Sequence, residues 1–268
     1  MVDLIRQQIK PEMALEDKLN RVREFLQIVI LKIIYDKGFF KNIAFVGGTA
    51  LRILYDLRRF SEDLDFSLID DKGYTFSAVN SEIERGLKLY GLEVEAKAKE
   101  ERTVHSTLLK FPGLLKDLGL SQLASQKLSI KLEIDSRPPK GWVLATTLVD
   151  KIYFINIVHL DISSMYATKL HACLFRKYAK GRDFYDLVWY LTKKITPNFI
   201  LLNNAIEQTQ GKGLGLSENN YRDFLSERIE QVDFKTVRKD VDRFLEDKNE
   251  LKLLDAEVIK RLLTYKKA

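Results

Sequence analysis

Asp63 and Asp65 stand two residues apart in the run DLDFSL, 63–68. Polar and apolar residues alternate there, which predicts a half-buried strand, and residues i and i+2 of a strand face the same way. Leu64 and Phe66 then face the core. Two adjacent carboxylates repel unless a cation lies between them. A divalent ion is the usual solution, and paired ions roughly 3.5–4 Å apart suit phosphoryl transfer. Upstream, Gly47, Gly48 and Thr49 close the apolar run IAFV. Two glycines allow a backbone to approach a phosphate closely. A helix opening at Thr49, its expected N-cap, would offer free N–H groups and a positive dipole end to that phosphate.

A second constellation lies in KLHACLFRKYAKGRDFYDL, 169–187. Helical spacing puts Lys169, Cys173 and Arg176 on one face, and Asp183 and Asp186 together at the start of the next helix. A lysine beside a transferred phosphate stabilises the charge that develops on it. Arg182 and Asp183 could instead cap and orient their helix, since acids are favoured in a first turn. Between residues 166 and 194 the cations Lys169, Arg176, Lys177, Lys180, Arg182, Lys193 and Lys194 exceed Asp183 and Asp186 by five. The whole chain carries +6, so most of its excess charge lies here, where a polyanion would find it or where it would form a solvated face.

The elements that must position these residues follow from periodicity. Apolar spacing predicts a long helix at 14–36, a strand at 43–46, helices at 49–57 and 77–90, and a hairpin over 92–100 and 102–111. The run KLSIKLEIDS, 127–136, alternates again. It places Ser129, Lys131, Glu133 and Asp135 on one face and Leu128, Ile130, Leu132 and Ile134 on the other, until Pro138 and Pro139 end it. The stretch 142–160 reads as strand and loop. Beyond it, 161–179, 182–194, 197–209, 218–230, 234–247 and 251–267 read as helices. The expected class is α+β: a mixed sheet with flanking helices at 1–158, then an all-helical domain at 159–268.

Composition narrows the chemistry. The chain has 268 residues, one cysteine (Cys173) and three histidines. An intramolecular disulfide or a multi-cysteine zinc site is excluded, and a metal is expected on carboxylates, hence Mg²⁺ or Mn²⁺. No run is long and apolar enough for a membrane helix. MVDLIRQQIK lacks an apolar signal core, so a cytoplasmic location is expected. His105 and His159 read as ordinary residues, as does His171, and Cys173 as a small buried hydrophobe. GKGLGLS, 211–217, follows no strand and reads as an interhelical loop.

The order Gly-Gly-Thr, helix, R-F-S-x-D-L-D-F, with K-x-x-A-x-x-x-R and R-D-x-x-D-L further on, resembles the nucleotidyltransferase fold of the DNA polymerase beta superfamily. Within it, the chain is similar to the AbiEii/AbiGii toxin branch, including MenT-type tRNA nucleotidyltransferases. The resemblance covers about 43–190. It implies an NTP-dependent nucleotidyltransferase of a toxin–antitoxin system, with tRNA as acceptor and a cognate antitoxin as partner. It assigns Gly47, Gly48, Thr49, Arg59, Ser61, Lys169, Arg176 and Asp183 to the nucleotide, with Ser61 facing its phosphates. Asp63, Asp65 and Glu133 would hold metal, and Asp135 is the alternative to Glu133. Lys169 and Asp186 complete the catalytic set. The same clamp would serve a kinase or a protein-adenylylating enzyme, and a non-catalytic binding module of this fold is the reading from a different class.

Overall fold

The computed structural model describes residues 1–123 and 125–264 and divides into two compact units. Unit 1 comprises Met1–Asp56, Phe60–Arg137 and Ala145–His159. Unit 2 comprises Leu57–Arg59, Pro138–Leu144 and the chain from Leu160 onward.

In chain order the first elements are α1 (Val2–Arg6), α2 (Leu15–Asp36), β1 (Ile43–Val46), α3 (Gly47–Tyr55), β2 (Asp63–Leu68) and α4 (Phe76–Leu89). Next come β3 (Glu95–Glu100), β4 (Val104–Phe111), α5 (Leu114–Asp117), β5 (Leu128–Asp135), β6 (Leu144–Asp150) and β7 (Phe154–Leu160). The sheet has seven strands in the order β3-β4-β5-β2-β1-β7-β6. Strand β2 runs antiparallel to β1 and parallel to β5, and β1 runs parallel to β7. The stretch read as strand and loop at 142–160 is thus two sheet strands. Their outward positions, including Leu148 and Phe154, are exposed. Part of the apolar signal in that stretch therefore does not mark the core.

The alternating runs bury the side they were expected to bury. Leu64 and Phe66 on β2 are fully covered, as are Leu128, Ile130, Leu132 and Ile134 on β5. Phe45 and Phe66 meet across the β1–β2 pair with centroids 5.3 Å apart, and burial of each such ring stabilises by about 1.5–3 kcal/mol. Helix α4 closes on α2 at Gly86, where an added Cβ would lie 2.8–2.9 Å from the Ile33 side chain.

Helix α3 begins at Gly47, two residues before the expected start, with Val46 as N-cap. Thr49 does not cap it. Its side chain is buried, and its hydroxyl donates to the carbonyl of Asp63, tying the first turn of α3 to the start of β2. Gly47 is required twice over: its φ is +81°, and a Cβ there would overlap the Asp65 carboxylate.

Unit 2 carries α6 (Ile162–Phe175), α7 (Gly181–Thr192), α8 (Phe199–Gln210), α9 (Tyr221–Glu230), α10 (Phe234–Val241) and α11 (Ala256–Thr264). The helix expected over 161–179 ends at Phe175, because Arg176 turns extended. That expected over 234–247 stops at Val241 in a 3₁₀ turn, after which Leu245 bridges to Arg59. At 251–267 a second 3₁₀ segment precedes α11, and residues 265–267 lie outside the described residues. Helix α10 docks on the N-terminus of α7 at Gly181. A Cβ there would overlap the Val237 carbonyl, and the Gly181 N–H donates to Asp240 at 2.7 Å.

Gly47→Ala should lower stability by about 1–3 kcal/mol, since it combines a left-handed backbone with a steric overlap. Urea denaturation measures this. A midpoint equal to wild type would refute the tight approach of the turn to Asp65.

Candidate functional site

In unit 1 the strand register assembles an acidic face. Asp65 on β2 pairs with Val46 on β1 at one side and with Glu133 on β5 at the other. Asp63 pairs with Lys131, and Ser67 with Asp135. Asp63, Asp65, Lys131 and Glu133 therefore project from the same side of the sheet, while their apolar neighbours fill the other. Gly47 lies directly against Asp65, so the first turn of α3 opens beside this carboxylate. Val46, its N-cap, makes no side-chain hydrogen bond to that helix end, and the leading N–H groups of a helix are suited to an anion.

The neighbours of the acids differ. The Lys131 ammonium lies 2.7 Å from the Glu133 carboxylate. Its hydrogen bond to Glu133 holds it above the ordinary lysine value against partial burial, aided by the charges of Glu133, Asp63 and Asp65. Burial raises Asp135, opposed by the N–H of Arg137 at 2.9 Å. Asp135 is thus tied into the turn that follows its own strand, whereas Glu133 stands opposite Asp65. As hard oxygen donors on adjacent strands, Asp63, Asp65 and Glu133 fit Mg²⁺ or Mn²⁺. Among the described residues no three donors already converge as a metal cluster, and Glu133 is turned to Lys131.

Ser61 is buried, and its carbonyl accepts from Gln27 Nε2 at 3.0 Å. Phe60, in the same motif, is stacked by two guanidinium groups, Arg52 at 3.9 Å and Arg21 at 5.1 Å. Arg52 also binds Glu24 of α2. The segment leading into β2 is therefore clamped from α2 and α3. Sequence reasoning missed this clamp. Its only trace was an arginine inside the apolar run TALRILY.

In unit 2 the other expected residues form a buried ion network. Arg59 donates in parallel to both oxygens of Asp186, from Nε and Nη2, each at 2.6 Å. Their side chains are 2% and 0% exposed, so the pair is dry. Lys169 reaches Asp183 at 2.7 Å and Asp186 at 2.8 Å, and Arg176 closes on the other oxygen of Asp183. Burial alone would lower Arg59 and Lys169 and raise Asp183. Attraction within the network outweighs it: Asp186 holds Arg59 above its ordinary value, Asp183 and Asp186 hold Lys169 above its own, and Lys169 and Arg176 hold Asp183 below. Three cations against two carboxylates leave one positive charge in excess. Cys173 completes the helix face, its buried thiol facing the Asp183 carbonyl at 3.5 Å.

The remaining candidates are structural. His105 meets Tyr74 Oη at 3.0 Å, His159 meets Thr147 at 2.9 Å, and His171 meets Thr209 at 2.8 Å. The 211–217 loop joins α8 to α9, with Gly211 as the left-handed C-cap and Leu216 anchored by Asn203.

Arg59→Met should cost up to about 3–5 kcal/mol, because it leaves the buried Asp186 carboxylate with Lys169 as its remaining partner. Arg59→Met with Asp186→Leu should recover part of that loss, and a double-mutant cycle by thermal unfolding reads the coupling. Asp183, lowered in the folded state, stabilises fully above the unfolded value near 3.8 and loses that contribution as pH falls through its folded value. Asp183→Asn should therefore flatten the acid limb of stability below about pH 4. Strict additivity of Arg59 and Asp186 would refute the network.

A family model described as nucleotidyl transferase AbiEii toxin, type IV TA system, matches residues 29–258. Two solved structures from Helicobacter pylori share the fold. JHP933 has 19% identity and a TM-score of 0.50 over 90% of each chain. A candidate nucleotidyltransferase has 19% identity and a TM-score of 0.51 over 90% of this chain and 94% of its own. No curated protein matches the sequence. With its family model spanning both the Gly-Gly turn with its acidic strands and the ion network, the chain belongs to the AbiEii nucleotidyltransferase toxin family of type IV toxin–antitoxin systems.

Proposed function

We propose that the protein is a Mg²⁺- or Mn²⁺-dependent transferase that moves a nucleotidyl group from an NTP to a hydroxyl of RNA, with tRNA as acceptor. The observation that carries this reading is the N-terminus of α3, which begins at Gly47 directly against Asp65. An anion-accepting helix end beside a carboxylate pair suits a cation and a polyphosphate together. Asp63, Asp65 and Glu133 would hold the ion, which supplies charge neutralisation at the transferred phosphate. Gly47 and Gly48 admit the triphosphate to the backbone. The short first turn is fixed by Thr49, so that nucleotide binding need not order it.

Lys169 is the cation proposed to act on the phosphates. Its attraction to Asp183 and Asp186 keeps it protonated throughout the physiological range. Asp186 and Arg59 then act through Lys169 as positioning residues, because both oxygens of Asp186 are already engaged. Lys177 and Lys180 are exposed on the connection between α6 and α7, the part of the basic stretch open to an RNA backbone. A cognate antitoxin is the partner that the family implies. No described helix is long and apolar enough to cross a membrane, and a cytoplasmic location, where NTP and tRNA are found, belongs to the same proposal.

Incubation with each NTP, labelled at the α- or γ-phosphate, plus total tRNA and total protein, tests the reaction. α-Label in RNA, abolished by chelation, is expected. Label in protein means adenylylation, γ-label transfer means a kinase, and no transfer means a binding module. Asp65→Asn should cut turnover by about a hundredfold or more with the fold intact by circular dichroism. Lys177→Ala with Lys180→Ala should reduce the log–log salt slope of tRNA binding by about 0.7–0.9 for each phosphate no longer neutralised. An unchanged slope and affinity would return these lysines to a solvated face.

A further inference from the structure

Resting on the metal-site reading of the acidic face, one residue stands out that neither the motifs nor the family match explains. Lys131 lies two residues before Glu133 on β5, on the same face, and pairs across the sheet with Asp63 while Glu133 pairs with Asp65. Two successive rungs thus carry three carboxylates and one lysine. The ammonium sits 2.7 Å from Glu133, with the two side chains 45% and 32% exposed. A pair this exposed contributes little to stability, and neither stem belongs to the core. Folding does not account for a lysine in the middle of an acidic face.

Its charge does something specific there. A divalent ion drawing on Asp63, Asp65 and Glu133 needs the Glu133 oxygens, and one of them is held by Lys131. We propose that Lys131 is a built-in competitor for the divalent cation: it partly neutralises the acidic face and keeps Glu133 out of the ligand set until the ion displaces it. Displacement frees an ammonium at the exposed border of the site. There it meets the negative charge of an incoming polyphosphate. One lysine thus weakens the binding of free metal and strengthens that of nucleotide once metal is present, so that the ion and the polyphosphate load together.

The test uses the full-length protein and Mn²⁺ alone, with binding followed by electron paramagnetic resonance, and then NTP binding at saturating Mn²⁺ by calorimetry. Lys131→Gln should bind free Mn²⁺ about three- to tenfold more tightly, as expected for removing a unit charge a few ångströms from a dication in a partly solvated site. The same variant should bind NTP more weakly at saturating Mn²⁺. Lys131→Arg, which keeps the charge, should stay near wild type in both. If Lys131→Gln leaves Mn²⁺ affinity unchanged or weaker, while Asp65→Asn abolishes it, the competitor role is overturned and the metal-site reading stands. Equal tightening by Arg and Gln also overturns it, since the effect would not be one of charge. If wild type binds no Mn²⁺, with or without NTP, both fall.

Discussion

The register of β2 between its two neighbours is the constraint on which the acidic face depends. Asp65 stands opposite Val46 on β1 and Glu133 on β5 at once. A slip of one residue on either side would send Asp63 and Asp65 into the core and bring Leu64 and Phe66 out. That slip is prevented by the apolar half of the same strand, where Phe66 packs on Phe45, and by the Thr49 hydroxyl holding the first rung through the Asp63 carbonyl. The carboxylates are therefore positioned by the core-facing half of their own strand and by the first turn of α3. The hydrophobic face of the strand is what determines where its charged face points.

Much of this was legible in the sequence because it depends on period alone. The i, i+2 spacing of Asp63 and Asp65, the clean alternation of 128–135 and the two glycines ahead of a helix are local patterns, and local patterns survive without knowledge of the fold. What could not be read was pairing between distant segments. Nothing local distinguishes Thr49 as a cap from Thr49 as a donor to a strand fourteen residues away. Nothing in RRFSEDL shows that Arg59 pairs with Asp186, 127 residues on, while its neighbour Phe60 is stacked by Arg52. The boundaries of 161–179 and 234–247 were overextended for the same reason. Their apolar spacing continues past Phe175 and Val241, but the chain bends there to meet partners outside the helix. Lys131 was visible on the right face of its strand, and only its contact with Glu133 gives it meaning.

The two sets of acids are built by opposite electrostatic strategies. Asp186 is fully buried, with both oxygens taken by Arg59 and one shared with Lys169. A carboxylate so placed holds two cations at fixed positions. Asp63, Asp65 and Glu133 are only partly buried, on a face where water and ions can compete for their oxygens. Exchange of ligands there is cheap because little desolvation has to be reversed. Burial thus separates carboxylates open to water and ions from carboxylates held in fixed ion pairs, even where both occur in motifs of the same family.

The same argument explains why the network of unit 2 carries more cations than acids. A balanced buried pair is electrically silent, and replacing it by apolar groups is often neutral for stability. Adding Arg176 to Arg59 and Lys169 against Asp183 and Asp186 places a third cation at the edge of the network rather than in its buried centre. Arg176 is the exposed member, at 39%, so water solvates the charge that the two acids do not offset. The buried part of the network, Arg59 and Lys169 with Asp183 and Asp186, balances its charge, and the third cation stays where water solvates it.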